Sequence, residues 1–325
     1  MADNNRTHVL GVDLGGTKIL AGVFDLRLQP LGSTKFSTKP QRGAEAVIER
    51  IARCVIDAID ECDLSLKQVR AIGIGAPGAV DPEHGEVIFA PNLGWKDVAL
   101  VKELEKRLDV PVFLENDCKA CMLGVYEVEL KAKPRHALGI FIGTGIGGGI
   151  IINGELYGGV NHTAGELGHM VIDVNGPKCG CGNKGCFEVF ASRLALFRAI
   201  QAAIKDGQKS ILTDMLGDDL KDLRSGHIRK AINRGDKVVE KIVEAAAEYT
   251  GLAVGNLINL LNPEVVVLGG GVIEALNDEM MPTIIKTAKE HVMPGTFRNV
   301  SIIASKLGDN AGITGAAVLA REKTR

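Results

Sequence analysis

Three cysteines and a histidine share one short stretch, HTAGELGHMVIDVNGPKCGCGNKGCFE, and their types already name a chemistry. His169, Cys179, Cys181 and Cys186 offer one imidazole and three thiolates, the donor set of a four-coordinate tetrahedral zinc. A shell closed by four protein ligands leaves no position for a reactive water, so such an ion is structural. Glycines at 180, 182 and 185 allow a tight fold around it. Glu166 and Glu188 flank the cluster, and two carboxylates on a metal-braced loop are well placed to grip vicinal hydroxyls. Solvated loop charges would read the same way. The chain has seven cysteines, and an odd count with one tight trio points to a metal rather than a disulfide framework.

Glycine clusters mark a second kind of chemistry. In DLGGTK, a turn with Gly15 and Gly16 exposes backbone N–H groups to phosphate oxygens, and Thr17 adds a hydroxyl. Asp13 opens this motif, placed to hold Mg²⁺ through water, and Lys18 closes it as a further candidate cofactor-binding residue. A plain hairpin turn has the same letters, and the motif is not a Walker loop. GTGIGGG, Gly143–Gly149, puts five glycines in seven residues. Thr144 and Gly145 there suit close approach of an anion. A β-run follows instead of a helix, which excludes the dinucleotide fingerprint. LGGGV places Gly269, Gly270 and Gly271 at the end of an apolar run, where a flat adenine or ribose can lie, or where a tight strand-to-helix turn is needed.

The acid–base candidate is Asp117 in ENDCKA, directly after VPVFLEN. Phosphoryl transfer to an alcohol needs a carboxylate to accept the hydroxyl proton while dipoles and metal stabilise the phosphoryl charge. Asn116 beside it can donate to and accept from sugar hydroxyls. An Asp here also suits a helix N-cap, and both roles are compatible. Cys118 and Cys121 spell CxxC, but no second pair or thioredoxin-like context accompanies them, so they read as helix residues. His8, His84, His136, His162, His227 and His291 show no partner pattern.

The elements that must carry these residues follow from periodicity. Val9–Asp13 and Ile19–Phe24 read as strands about four residues apart, an antiparallel hairpin. A third strand falls in 32–38, a helix over AEAVIERIARCVIDAID, a strand at 69–75 and another at VPVFLEN. HALGIFIG and GGIIING form a second hairpin, helical segments run from about Phe190, and a helix is expected over Asp236–Leu261. EVVVLG and VSIIAS are further strands, and the last helix spans roughly Asn310–Lys323. Two hairpins of one design imply a duplicated α/β unit with a cleft between its halves. The 325 residues also favour two domains.

Composition excludes other classes. Hydrophobic residues make up 46%, charged residues 24%, and net charge is −2 with no basic block, so nucleic acid is not an expected partner. No apolar run has membrane-spanning length, and MADNNRTH lacks a signal peptide's apolar core, so a cytoplasmic location without membrane partners is expected.

Taken together, DLGGTK, GAPGAVD, PNLGW, LENDCKA, IGTGIGGG, the GELGH…CGCGNKGC-E block and LGGGV resemble the ROK family (repressor, open reading frame, kinase), and its glucokinases most closely. The resemblance covers essentially the full length. It implies a two-domain actin-like ATPase (hexokinase/ribonuclease H-like) fold with ATP in the interdomain cleft. Residues 1–117 with 310–325 would form a smaller domain, and 118–309 a larger one with the zinc. It implies Asp117 as base, with Asn116, Glu166, His169 and Glu188 as sugar ligands and Gly78 and Asn92 as further pocket residues. Gly15, Gly16, Thr17 and Thr144 would face phosphates, and Gly269–Gly271 the nucleoside. The expected reaction is ATP-dependent phosphorylation of a hexose, glucose to glucose 6-phosphate, with Mg²⁺ and structural Zn²⁺. Small Ala79 beside Gly78 favours glucose, while relatives acting on N-acetylmannosamine, N-acetylglucosamine, fructose or allose, or using polyphosphate, share most motifs. The family's repressors carry a helix-turn-helix before the first hairpin, where this chain has only about eight residues. A non-catalytic sugar sensor is the other reading, and the resemblance favours a homodimer or homotetramer.

Overall fold

The computed structural model describes residues 6–217 and 219–325. The extreme N-terminus, read above as lacking a leader's apolar core, lies outside the described residues over positions 1–5. Contacts divide the chain into two compact units, one of residues 1–133, 149–165 and 309–325 and one of 134–148 and 166–308. The sequence-based boundary after 117 therefore differs, since 118–133 and 149–165 group with the first unit. The reason is packing: Leu123 from this stretch is buried in one cluster with Ile313, Ala317 and Ala320.

The first unit opens with strands β1 (His8–Leu14), β2 (Lys18–Asp25) and β3 (Pro30–Ser37). Helix α1 (Ala44–Asp60) follows, then β4 (Val69–Ala76), β5 (Ala79–Asp81), β6 (Glu86–Ala90) and β7 (Trp95–Val98). Helix α2 (Leu100–Leu108), β8 (Val112–Asn116) and α3 (Asp117–Gly124) complete the run. The main sheet has the order β3-β2-β1-β4-β8. β2 lies antiparallel to β1 and β3, whereas β4 is parallel to β1 and β8. α1 forms because Val47, Ile48, Ile51, Ala52, Val55 and Ile59 recur on one buried face. That face meets Leu10, Val12, Ile19 and Ile72 in the larger core cluster, together with Leu100, Leu104 and Leu108 of α2. Each fully buried aliphatic side chain there contributes roughly 1.5–3 kcal/mol. β5, β6 and β7 form a separate antiparallel three-stranded sheet, in a stretch to which the sequence reading assigned no strand.

The second unit holds β9 (Ala137–Ile142) and the start of β10 (Ile146–Ile152), which runs on toward β11 (Glu155–Leu156). After it come α4 (Glu188–Ala191), α5 (Arg193–Lys205), α6 (Ile211–Leu216), α7 (Ser225–Asn233) and α8 (Lys237–Leu261). Strand β12 (Val265–Gly269), α9 (Gly271–Glu290) and β13 (Ser301–Ala304) close it, while the terminal α10 (Ala311–Glu322) belongs to the first unit. The second sheet has the order β11-β10-β9-β12-β13, the same sequence of positions as the first, with β12 parallel to β9 and β13. This repeat of topology is the duplication that the two hairpins announce. Among the described residues no helix is long and apolar enough to cross a membrane.

Candidate functional site

In the first unit the candidate acid–base residue and its neighbours gather at the β8–α3 junction. β4 and β8 run parallel, with Ala76 opposite Asn116, so the turn after each strand begins at the same level. Asn116 is the N-cap of α3: its Oδ1 accepts from the backbone N–H groups of Cys118 (3.0 Å) and Lys119 (3.2 Å). Such a cap is worth about 1 kcal/mol. Its Nδ2 donates to the Gly78 carbonyl at 3.1 Å. Asp117 is thus the first helical residue and not the cap, with Oδ1 accepting from Cys118 N–H at 2.8 Å. Gly78 has φ of 85°, and a Cβ there would lie 2.1 Å from the Phe89 carbonyl oxygen, so only glycine fits. Cys118 and Cys121 are helix residues as read from the sequence. Burial pushes the Cys121 thiol well above its ordinary value, with the charges of Asp13 and Asp117 adding to the effect. A thiol held protonated in this way is a poor redox centre.

The DLGGTK turn joins β1 to β2. Gly15 N–H donates to the Lys18 carbonyl at 2.8 Å, and the Thr38 hydroxyl donates to the Gly15 carbonyl at 2.7 Å. Thr17 is exposed, and Gly16 packs beside exposed Asn92, to whose Cβ a Cβ on Gly16 would approach within 3.2 Å. The structure therefore brings together a residue assigned to phosphate and one assigned to sugar. Lys18 is engaged already: its ammonium lies 2.6 Å from Asp309 Oδ2. Burial raises the Asp13 carboxyl to about 6, against the opposing pull of Lys18, with Asp309 adding. Because the folded value exceeds the unfolded one, the folded protein binds the extra proton between about pH 4 and 6, and this group costs stability as pH rises through that window. Asp13→Asn is expected to stabilise the nucleotide-free protein at pH 8 by on the order of 1–3 kcal/mol, and so to raise its melting temperature. The gain should vanish near pH 4. Melting curves of both proteins across pH test this, and a difference independent of pH would contradict it.

One residue near Asp117 escaped the sequence reading. Lys119 is buried, at 2% exposure, and its ammonium donates to the His162 carbonyl and lies 3.8 Å from Glu115 Oε1. A buried lysine persists only when paired. It ties the segment before Glu166 to the first turn of α3. Its place in ENDCKA was visible, but nothing local pointed to a partner 43 residues away.

In the second unit His169, Cys179, Cys181 and Cys186 converge, with their ligand atoms all within 4.8 Å of one another. Cys179 Sγ is 3.7 Å from His169 Nδ1, and Cys181 Sγ is 3.7 Å from Cys186 Sγ. A tetrahedral ion with Zn–S bonds of about 2.3 Å needs ligand separations of about 3.8 Å, so the donors fit zinc in kind and spacing. The loop is held by backbone bonds: Cys179 N–H to the Asn183 carbonyl (2.8 Å), Gly185 N–H to the Pro177 carbonyl (2.8 Å) and Phe187 N–H to the Met170 carbonyl (2.8 Å). Gly182 and Gly185 adopt positive φ, but Gly180 does not and has open space around it, so only two of the three expected glycines are needed for the turn. Without metal, burial and then the neighbouring Cys181 and Cys179 push the Cys186 thiol to about 12. The Asn183 backbone holds the Cys181 thiol below its ordinary value. A dication at the centre converts such thiols to thiolates.

The other ring nitrogen of His169, Nε2, lies 4.0 Å from Glu166 Oε2. Glu188 opens α4 two residues after Cys186, and its Oε2 accepts from Ile146 N–H at 2.9 Å. A Cβ on Gly145 would sit 2.2 Å from that oxygen, so Gly145 is required for the carboxylate to reach the loop. The candidate metal-ligand segment and GTGIGGG are therefore tied together by Glu188, which the spacing alone did not reveal. Gly269 ends β12, Gly270 (φ 86°) caps α9 and Gly271 begins it. LGGGV is thus the strand-to-helix turn that was its plainer reading.

A sequence model of the ROK family matches residues 9–323. The glucokinase of Thermotoga maritima is 34% identical over 319 residues, which cover 98% of each chain. The xylose repressor of Caldicellulosiruptor bescii is 30% identical over 311 residues, covering 96% of this chain and 77% of its own. A crystal structure of a ROK family glucokinase from Streptomyces griseus, in complex with glucose and AMPPNP, superposes with a TM-score of 0.85 at 34% identity, covering 97% of this chain and 99% of that one. With these motifs on this doubled α/β topology, the chain belongs to the ROK family and has the actin-like fold of its sugar kinases.

Proposed function

We propose that the chain phosphorylates a hexose at the expense of ATP, with glucose as the preferred acceptor. The observation that carries this is the β8–α3 junction, where Asp117 stands on a capped helix end beside Asn116 and Gly78. The similarity to glucokinases over nearly the whole length supports it. In this reading Asp117 accepts the proton of the sugar hydroxyl as its oxygen forms the bond to the γ-phosphorus and the bond to the departing ADP oxygen breaks. Asn116, Glu166, His169, Glu188, Gly78 and Asn92 orient the sugar. Gly15, Gly16, Thr17, Lys18, Thr144 and Gly145 receive the phosphates, Asp13 would hold Mg²⁺, and Gly269–Gly271 lie against the nucleoside. Mg²⁺ arriving with ATP would supply neutralisation of phosphate charge, and His169, Cys179, Cys181 and Cys186 would hold a zinc that braces the loop carrying the proposed sugar carboxylates.

A coupled assay of ADP production with glucose, fructose, N-acetylglucosamine and N-acetylmannosamine tests the proposal, with polyphosphate as an alternative donor. Glucose should give the highest kcat/KM. Absence of hexose-dependent ATP turnover would overturn it. The similarity to a xylose repressor favours a second reading, sugar binding without catalysis. That reading requires calorimetric sugar binding with no turnover in the same preparation.

A further inference from the structure

The Gly143–Gly149 loop carries a cation that no motif marks. Arg193 is the first residue of α5, and its backbone N–H donates to the Gly143 carbonyl at 2.9 Å. Its Nη2 donates to the Thr144 hydroxyl oxygen. Main chain and side chain of one residue thus grip two successive positions of the loop. Among the described residues no carboxylate pairs with Arg193, in contrast to Arg107, which lies against Glu45, Glu49 and Glu103.

Three physical points give this contact a direction. A hydroxyl has one proton and two lone pairs, so a lone pair occupied by the guanidinium leaves the Thr144 proton to seek another acceptor. The guanidinium itself has five N–H donors in a planar fork that matches phosphate, and only one is used by Thr144. The space over Gly143 is open, with nothing within 4 Å of where a Cβ would lie. Charge balance adds to the case. The loop already carries the Glu188 carboxylate on Ile146 N–H, which repels a polyanion, and the lysine of the other glycine motif is held by Asp309. We infer that Arg193 is a phosphate-binding residue, which with Thr144 forms a two-donor clamp on the terminal phosphates of the nucleotide. This rests on the kinase reading proposed above.

The test uses the full-length protein with Arg193→Met and Arg193→Lys. Binding of adenosine, AMP, ADP and MgATP is measured by calorimetry, alongside steady-state KM for MgATP and hexose. Hydrogen bonds to charged groups are worth enough that Arg193→Met should weaken MgATP binding by roughly 10–100-fold. The loss should grow along the series from adenosine to ATP, while adenosine and hexose affinities stay within about threefold. Arg193→Lys, which keeps the charge but not the fork, should recover part of the loss. An equal loss for adenosine and ATP would mark a merely structural role and overturn the inference, as would parent-like ATP affinity in a folded variant. A parent protein that binds nucleotides along this series without hexose turnover would sink the kinase reading and leave the clamp standing. A parent that binds no nucleotide overturns both.

Discussion

Asp117→Asn should lower kcat by roughly 10² to 10⁴ while sugar affinity stays within a few fold. Asparagine preserves the shape of the side chain and can still accept the Cys118 N–H that Asp117 Oδ1 takes at 2.8 Å, but it cannot take up a hydroxyl proton. The fold has little reason to respond. The helix cap is Asn116, which remains, and what is lost is the attraction of a carboxylate to the positive end of α3, at most about 1 kcal/mol. The measurement is kcat and sugar KM in the coupled assay, with a melting curve to show that the variant is folded. Activity within about threefold of the parent would remove Asp117 from the role of base. Loss of sugar binding together with kcat would mean that the residue positions the substrate and does no more.

The second large effect is expected at the cysteine cluster. Cys181→Ser should abolish stoichiometric zinc, lower the melting temperature and raise the sugar KM by roughly tenfold, with a smaller change for ATP. Cys181 is the informative position because it is exposed, whereas Cys179 and Cys186 are buried and their replacement would disturb packing directly. Structural zinc binding in small sites is worth about 10–16 kcal/mol, far more than is needed to order a loop of this length. The loop matters to the sugar because its two ends carry the proposed carboxylates. Glu166 precedes the proposed ligand His169 by three residues, and Glu188 follows Cys186 by two. Holding these groups in place beforehand lowers the ordering cost of binding. Metal content by elemental analysis and KM for both substrates decide the matter. Parent protein free of metal with normal sugar affinity would exclude the proposed brace.

Much of the candidate site was legible because its signals are local. Three cysteines in eight residues with a histidine upstream specify a donor set whatever the surrounding fold, since soft thiolates and imidazole select the same coordination chemistry. Strand and helix periodicity likewise depends on near neighbours. The expected helix AEAVIERIARCVIDAID matches α1, and the two hairpins match β1–β2 and the β9–β10 segment. The small β5–β7 sheet was missed because its strands are only three to five residues long and are broken by turn residues, so no period accumulates.

What the sequence determined by itself was therefore the kind of candidate chemistry: a soft-donor set suited to a tetrahedral metal, glycine turns suited to anions, and a carboxylate at a strand end. The tertiary structure decided which groups share a task. It made Asn116 rather than Asp117 the cap of α3 and grouped residues 118–133 and 149–165 with the first unit. It also brought Glu188 to Ile146, Lys119 to His162 and Arg193 to Thr144, across 42, 43 and 49 residues of chain. Spacing along a chain encodes contacts within a turn or a hairpin. Pairings at these separations arise only when packed strands and helices fix both ends, as β9, α4 and α5 do for the glycine loop and its arginine.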